Sequence, residues 1–175
     1  MNYREEMTKA MTLLGQHPDT IFLGQSVLYK GTAMFSTLKY VPDSKKIEMP
    51  VAEQMQLGIS TGLALQGYIP ISIFPRMDFL ILAFDQLINH LDKIEILSEG
   101  RFKPKMIIRT SVGGKKHLDP GLQHIGNYIE PLRFMCKNIN IIRLGSADAI
   151  YSAYQFALNN ERSSILVEFG DLYDG

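Results

Sequence analysis

The feature that most constrains this chain is the alternation of short, nearly unbroken apolar runs with longer segments of helical periodicity. Ile21-Phe22-Leu23-Gly24, Tyr68 to Pro75, Lys105 to Val112, Asn140 to Leu144 and Ser164 to Phe169 read as strands. Lys46-Ile47-Glu48-Met49 is a weaker sixth, closed by Pro50. Between them, residues 3–15, 50–65, 78–98, 129–137 and 147–159 read as helices, and 30–43 as loop with a helical turn. Strands separated by helices of this length point to parallel crossover units. Strands that lack polar alternation agree, because a parallel sheet is covered on both faces. The expected fold class is α/β, a parallel β-sheet flanked by helices. At 175 residues, with no repeat or linker, one domain is expected.

The helices carry local signals. Met7, Ala10, Met11 and Leu14 share a face of the first, and Phe84, Leu87, Ile88 and Leu91 share a face of the 78–98 segment. Pro50 suits the first position of its helix, Pro131 falls in the first turn of another, and Ser146 is placed to cap the last. Gly58 and Gly62 lie four apart inside the 50–65 helix. Each costs about 1 kcal/mol relative to alanine, so that face is expected to pack closely against another backbone.

Composition removes several function classes. Lys+Arg and Asp+Glu both number 18, so the formal charge is zero and a binder working through phosphate neutralisation is disfavoured. A lone Cys136 excludes an internal disulfide framework and leaves too few thiols for a cysteine-rich zinc site. The longest apolar run, Phe79 to Phe84, is far short of the roughly 20 residues of a membrane span. The start, Met1-Asn2-Tyr3-Arg4-Glu5-Glu6, places charges where a signal peptide needs an apolar stretch. The expectation is a reduced, cytoplasmic protein without nucleic-acid or membrane partners.

Ligands of open α/β sheets bind beyond the carboxyl ends of the strands, which draws attention to residues 50–53, 77–79 and 113–124. Glu53 begins a helix. It is either a solvent-facing acid favoured by the helix dipole or a buried carboxyl that hydrogen-bonds a heteroaromatic ligand. His124, after a loop with Gly113, Gly114, Pro120 and Gly121, is either a surface residue or a proton carrier. Phe79 reads as core or as a ligand contact, and Asp78 as a helix cap. Asp85, Gln86 and Asn89 either satisfy buried partners or line a subunit contact. Lys115, Lys116 and His117 read as a solvated loop ahead of a phosphate site. No dinucleotide, Walker, metal-ligand or nucleophile motif occurs.

Taken together, the segments resemble the beta subunits of thiamine-diphosphate-dependent 2-oxo acid dehydrogenases. The residues that carry the likeness are Tyr3-Arg4-Glu5, Phe22-Leu23-Gly24, Glu48-Met49-Pro50-Val51-Ala52-Glu53-Gln54, Gly58, Gly62, Ala64, Gly67 and Pro70-Ile71. It is strongest over Asp78-Phe79, Ala83-Phe84-Asp85-Gln86, Asn89, Lys93, Ile108-Arg109-Thr110 and Val112-Gly113-Gly114. Gly121-Leu122-Gln123-His124 is similar to the histidine loop shared with transketolases, and Leu172-Tyr173 to the end of the family's pyrimidine-binding domain.

The resemblance implies thiamine diphosphate as cofactor. Glu53 would hydrogen-bond its pyrimidine nitrogen and favour the imino tautomer, Phe79 would stack on the pyrimidine, and His124 would orient or protonate intermediates. Gln25 departs from the acid usual in the family, Arg76 and Met77 from smaller or aromatic residues, and Ile125-Gly126-Asn127 from a polar pair. The segment between Gly24 and Glu48 is also shortened.

Thiamine diphosphate further needs magnesium, bound in the family by Gly-Asp-Gly and a downstream asparagine pair. Gly170-Asp171-Leu172 is the nearest fragment and does not make that motif. The resemblance therefore implies a single pyrimidine-binding domain over residues 1–175, with neither a diphosphate-binding domain nor a C-terminal transketolase domain, and no metal ligands of its own. Magnesium ligands would lie on a diphosphate-domain, alpha-like partner chain, and self-association into a dimer or heterotetramer is expected. The reaction would be oxidative decarboxylation of a 2-oxo acid. The alternatives are ketol transfer from a ketose by a split transketolase, a non-catalytic binding or regulatory subunit, or a domain cut from a longer protein.

Overall fold

The computed structural model describes residues 2–116 and 119–173; His117 lies outside the described residues. Helix α1 (Tyr3–Gln16) leads into β1 (Thr20–Gly24), the short α2 (Ala33–Ser36) and β2 (Lys46–Glu48). Then follow α3 (Glu53–Leu65), β3 (Ile69–Phe74), α4 (Met77–Leu80), α5 (Ile94–Leu97) and β4 (Ile107–Val112). The chain continues through α6 (Ile129–Met135), β5 (Asn140–Arg143), α7 (Ile150–Asn159) and β6 (Ser164–Phe169).

The strands form one sheet in the order β2-β1-β3-β4-β6-β5, and every neighbouring pair is parallel. From β1 the chain first builds outward to β2, then returns to place β3 on the other side of β1. The direction of winding therefore reverses between β1 and β3, the position where open α/β sheets bind ligands. The expected α/β sheet is the observed one.

Each face of the sheet has its own core. Phe22, Ile71, Ile73, Ile107 and Leu166 pack with Met7, Met11 and Leu14 of α1 and Tyr154 of α7. On the other face Phe74, Ile108, Ile165 and Val167 meet Leu57 of α3, Leu80, Leu87, and Leu132 of α6. Successive strand residues thus enter opposite cores, which is why the strands read as continuous apolar runs. No helix among the described residues is long and apolar enough to cross a membrane.

Four local expectations are corrected. Helix α3 begins at Glu53, not Pro50: the Ala52 amide instead donates to the Pro50 carbonyl at 2.8 Å in a turn ahead of the helix. Gly58 faces only the side chain of Gln86, at 3.4 Å from where a Cβ would stand, and Gly62 faces nothing within 4 Å, so no backbone packs closely there. The expected 78–98 helix breaks into α4, a 3-10 turn at Ile81–Ala83, a π-helical stretch at Asp85–Leu91 and α5. The apolar spacing persists through these segments because Leu87 and Leu91 still face the core. Finally, α7 starts at Ile150 behind a 3-10 turn, and Ser146 makes no capping bond; its side chain engages Asp148 instead.

One buried ion pair has no local signature in the sequence. Arg109 of β4 and Glu168 of β6 are both fully buried, and they pair through the guanidinium Nε and, at 3.2 Å, Nη2. Tyr154 donates to Glu168 at 3.2 Å, Tyr173 also donates to Glu168, and Arg109 Nη2 donates to the Tyr173 hydroxyl at 3.0 Å. Burial, then the Glu168 charge, push the Tyr154 and Tyr173 phenols well above their ordinary range. Removing one member of such a pair strands a buried charge, so Glu168→Ala should destabilise the chain by about 3–5 kcal/mol. Urea unfolding measures this, and a loss below about 1 kcal/mol, the scale of an exposed pair, would contradict it.

Cys136 is buried, and desolvation followed by the Asp92 charge pushes its thiol up to about 11. The thiolate is the reactive form, so at pH 8 Cys136 should resist a disulfide-exchange reagent until the chain is unfolded. Rapid labelling of the native chain would contradict this.

Candidate functional site

Four loops at the carboxyl ends of the strands carry the site: Gln25 follows β1, Glu53 follows β2, Arg76 to Phe79 follow β3, and Gly113 to His124 follow β4. Parallel pairing brings these ends to the same edge of the sheet.

Glu53 is 5% exposed, which removes the solvent-facing reading of its sequence position. Its Oε1 accepts a hydrogen bond from Gln25 Nε2 at 3.2 Å, while Oε2 has no hydrogen-bond partner among the described residues. A buried carboxyl with one oxygen held and the other open is suited to a ligand donor.

The turn that presents Gln25 is itself held. Ser26 has φ of 58°, in the left-handed region. Beside it, the Glu48 carboxylate at the end of β2 accepts from the amides of Ser26, Val27 and Leu28 at 2.6, 2.9 and 2.8 Å. Charge-assisted bonds of this kind are the strong ones. Gln25 is visible in the sequence only as a departure from the family's acid, and Glu48 gives no site signal there, because their hydrogen-bond partners lie 20 or more positions away.

Phe79 and His124 are brought together. Both are half-buried, and their rings meet edge to face with centroids 5.5 Å apart and planes at 83°. Phe79 comes from α4, which anchors itself through buried Met77 and Leu80. His124 ends a 3-10 turn that follows Gly121, whose φ of 82° suits glycine.

Asp78 does not cap its helix as expected. Its carboxylate accepts from the Gly126 amide at 3.2 Å and the Tyr128 hydroxyl at 3.3 Å, tying the histidine loop to α4. Desolvation and then the Asp78 charge raise the Tyr128 phenol above its ordinary value. No hydrogen bond or ring contact joins Glu53 to Phe79 or His124 among the described residues.

Asp85, Gln86 and Asn89 resolve as a surface cluster. Asp85 accepts from Asn89 at 2.9 Å, Gln54 at 3.4 Å and Gln86 at 3.5 Å, and His90 lies 3.5 Å away. The Asn89 bond is the main reason its carboxyl sits below the ordinary value. Asp171 accepts from the Lys115 and Lys116 amides at 2.7 and 3.0 Å, which pins the start of the glycine loop to the end of β6. Among the described residues, no group of three or more His, Cys, Asp or Glu side chains is placed to hold a metal ion.

The fold and site define a class: a parallel α/β domain that gathers a buried acid, an aromatic ring and a histidine at the winding reversal of its sheet. Residues 1–173 match the family described as transketolase, pyrimidine binding domain, and the chain belongs to that family. It is 34% identical over 120 residues to the pyruvate dehydrogenase E1 component subunit beta of Chaetosphaeridium globosum, covering 69% of this chain and 35% of that protein. With the mitochondrial subunit beta of Caenorhabditis elegans it shares 25% over 177 residues, covering 99% of this chain and 49% of the relative.

Among solved structures, one titled a split gene transketolase, inactive beta4 tetramer, superposes with TM-score 0.74 at 22% identity, over 97% of this chain and 51% of that one. A transketolase from Campylobacter jejuni subsp. jejuni gives TM-score 0.73 at 16% identity, over 94% of this chain and 25% of that one. These likenesses establish the fold. The chain spans between about a third and half the length of these two pyruvate dehydrogenase relatives.

If Glu48 holds the Gln25 turn, Glu48→Ala should lower stability by about 1–3 kcal/mol, the scale of hydrogen bonds to a charged group. Thermal unfolding checks this, and an unchanged midpoint would contradict it.

Proposed function

We propose that this chain is the pyrimidine-side, beta-like subunit of a thiamine-diphosphate-dependent enzyme whose site is completed by a second chain. In this reading residues 1–175 act as one pyrimidine-binding domain. The diphosphate-binding domain and the magnesium ligands belong to an alpha-like partner, and further self-association gives a dimer or heterotetramer. The observation that carries the reading is the buried Glu53 carboxyl with an open Oε2, set where α/β sheets bind ligands, in a chain of this family.

When bound, thiamine diphosphate supplies a nucleophilic carbon and an electron sink. Glu53 Oε2 would hold the pyrimidine ring nitrogen by a hydrogen bond, while Gln25 keeps the carboxyl in place through Oε1. Phe79 offers its ring to the pyrimidine, and its edge-to-face contact orients the imidazole of His124. His124 stands on the substrate side, where an imidazole can take or return a proton near neutral pH. The partner covers exposed apolar side chains of the chain, among them Met55 and Ile59 on the outer face of α3.

The reaction is oxidative decarboxylation of a 2-oxo acid, in line with the pyruvate dehydrogenase subunits to which the chain is similar. A split transketolase acting on a ketose is the second reading, favoured by the likeness to the split-gene transketolase fold.

Reconstitution with the diphosphate-domain chain, thiamine diphosphate and magnesium tests the proposal. The chain alone should give no turnover and the pair should be active. Glu53→Gln should lower kcat by about 10²–10⁴-fold while the melting curve of the chain keeps its shape. Turnover by the isolated chain, or a normal rate in the variant, would refute it.

A further inference from the structure

Arg76 is one of the residues by which the sequence departs from the family it resembles, and the structure gives it an unusual setting. It follows β3 and Pro75 and precedes α4, and its carbonyl accepts from the Phe79 amide at 3.1 Å, so Arg76 and Phe79 share one turn. Its side chain is anchored at one end only. Nη1 donates to the Pro75 carbonyl at 2.8 Å and to Ser111 Oγ at 3.3 Å. The Ser111 hydroxyl in turn donates to the same Pro75 carbonyl at 2.7 Å. This bracket across the ends of β3 and β4 holds the guanidinium plane.

Among the described residues, the rest of the guanidinium has no hydrogen-bond partner. Nε and Nη2 make no hydrogen bond among the described residues, and no carboxylate there forms an ion pair with Arg76. Asp78, two positions on, spends its oxygens on Gly126 and Tyr128. Arg109, by contrast, is matched by Glu168 on the neighbouring strand. These nitrogens are not among the buried unpartnered atoms and stay within reach of a ligand from solvent, and a guanidinium fork suits a carboxylate or a phosphate.

The unmatched side of Arg76 borders the histidine loop. A Cβ on Gly113 would lie 3.2 Å from Arg76 Nε and would run into the His124 carbonyl. Gly113 thus lies against both the Arg76 guanidinium and the backbone of His124, and a side chain there would force them apart.

We infer that Arg76 is an anion subsite for the substrate, binding its carboxylate or phosphate beside His124. This rests on the reading of the site given above and deepens it: the residue that departs from the family pattern sets which charged substrate is accepted. Lys115 and Lys116 are not part of the subsite, since their loop is exposed and turned toward Asp171.

The test has a binding arm and a turnover arm. Pyruvate, inorganic phosphate and neutral dihydroxyacetone are titrated into the full chain and into the reconstituted pair, with Arg76 in its natural form and as Arg76→Gln and Arg76→Lys. Arg76→Gln should weaken pyruvate or phosphate binding by about tenfold to a hundredfold, leave dihydroxyacetone unaffected, and be partly rescued by Arg76→Lys. Whichever anion responds identifies the source. In the pair, Arg76→Gln should raise KM for the anionic substrate and leave kcat within about twofold, the pattern of lost uniform binding.

Glu53→Gln should do the reverse, removing turnover and sparing anion affinity. Failure of the thiamine reading is therefore seen as absent turnover with an Arg76-dependent anion site still present. Unchanged anion affinity in Arg76→Gln, an equal effect on the neutral ligand, or no anion binding by either the natural chain or the pair would overturn the inference.

Discussion

Parallel pairing of β1 with both β2 and β3 governs where every group of this site stands. Because all six strands point the same way, each crossover returns to the same edge of the sheet, and the residues that leave β1, β2, β3 and β4 emerge along it. Gln25 and Glu53 come from strands on one side of the winding reversal, Phe79 and His124 from the other. An antiparallel partner in place of β2 would send Glu53 to the opposite edge. The chemistry of the site is therefore a consequence of strand direction before it is a consequence of residue type.

On that frame the polar groups are used in two ways. Some spend their charge inside the fold: Glu168 on Arg109 and two tyrosines, Glu48 on three amides of the Gln25 turn, Asp92 on the amides of Lys137 and Asn138, and Asp78 on the histidine loop. Glu53 and Arg76 are each held at one end and left open at the other.

The strands were legible because burial on two faces removes polar alternation, and β6 runs from Ser164 to Phe169 as its apolar run indicates. The 78–98 segment was misread for an equally physical reason: core-facing leucines keep a helix-like spacing through α, 3-10 and π turns, so periodicity alone does not register the breaks. At Glu53 the local pattern left two readings open, because helix starts favour acids whether or not the side chain is buried; only the packing around Gln25 decides between them. Arg109 and Glu168 lie 59 positions apart on different strands, so no local pattern pairs them. Arg76 was visible in the sequence only as a departure, and its meaning depends on the bracket with Pro75 and Ser111 that no local pattern contains.

The most direct measurement is calorimetric titration of thiamine diphosphate with magnesium into this chain, into a diphosphate-domain chain, and into the two mixed. Tight binding that appears only in the mixture, and that weakens when Glu53 is replaced by glutamine, is the expected result. Equally tight binding to this chain alone, or binding by the mixture that ignores Glu53, would contradict a cofactor site shared across two chains with Glu53 as its acid.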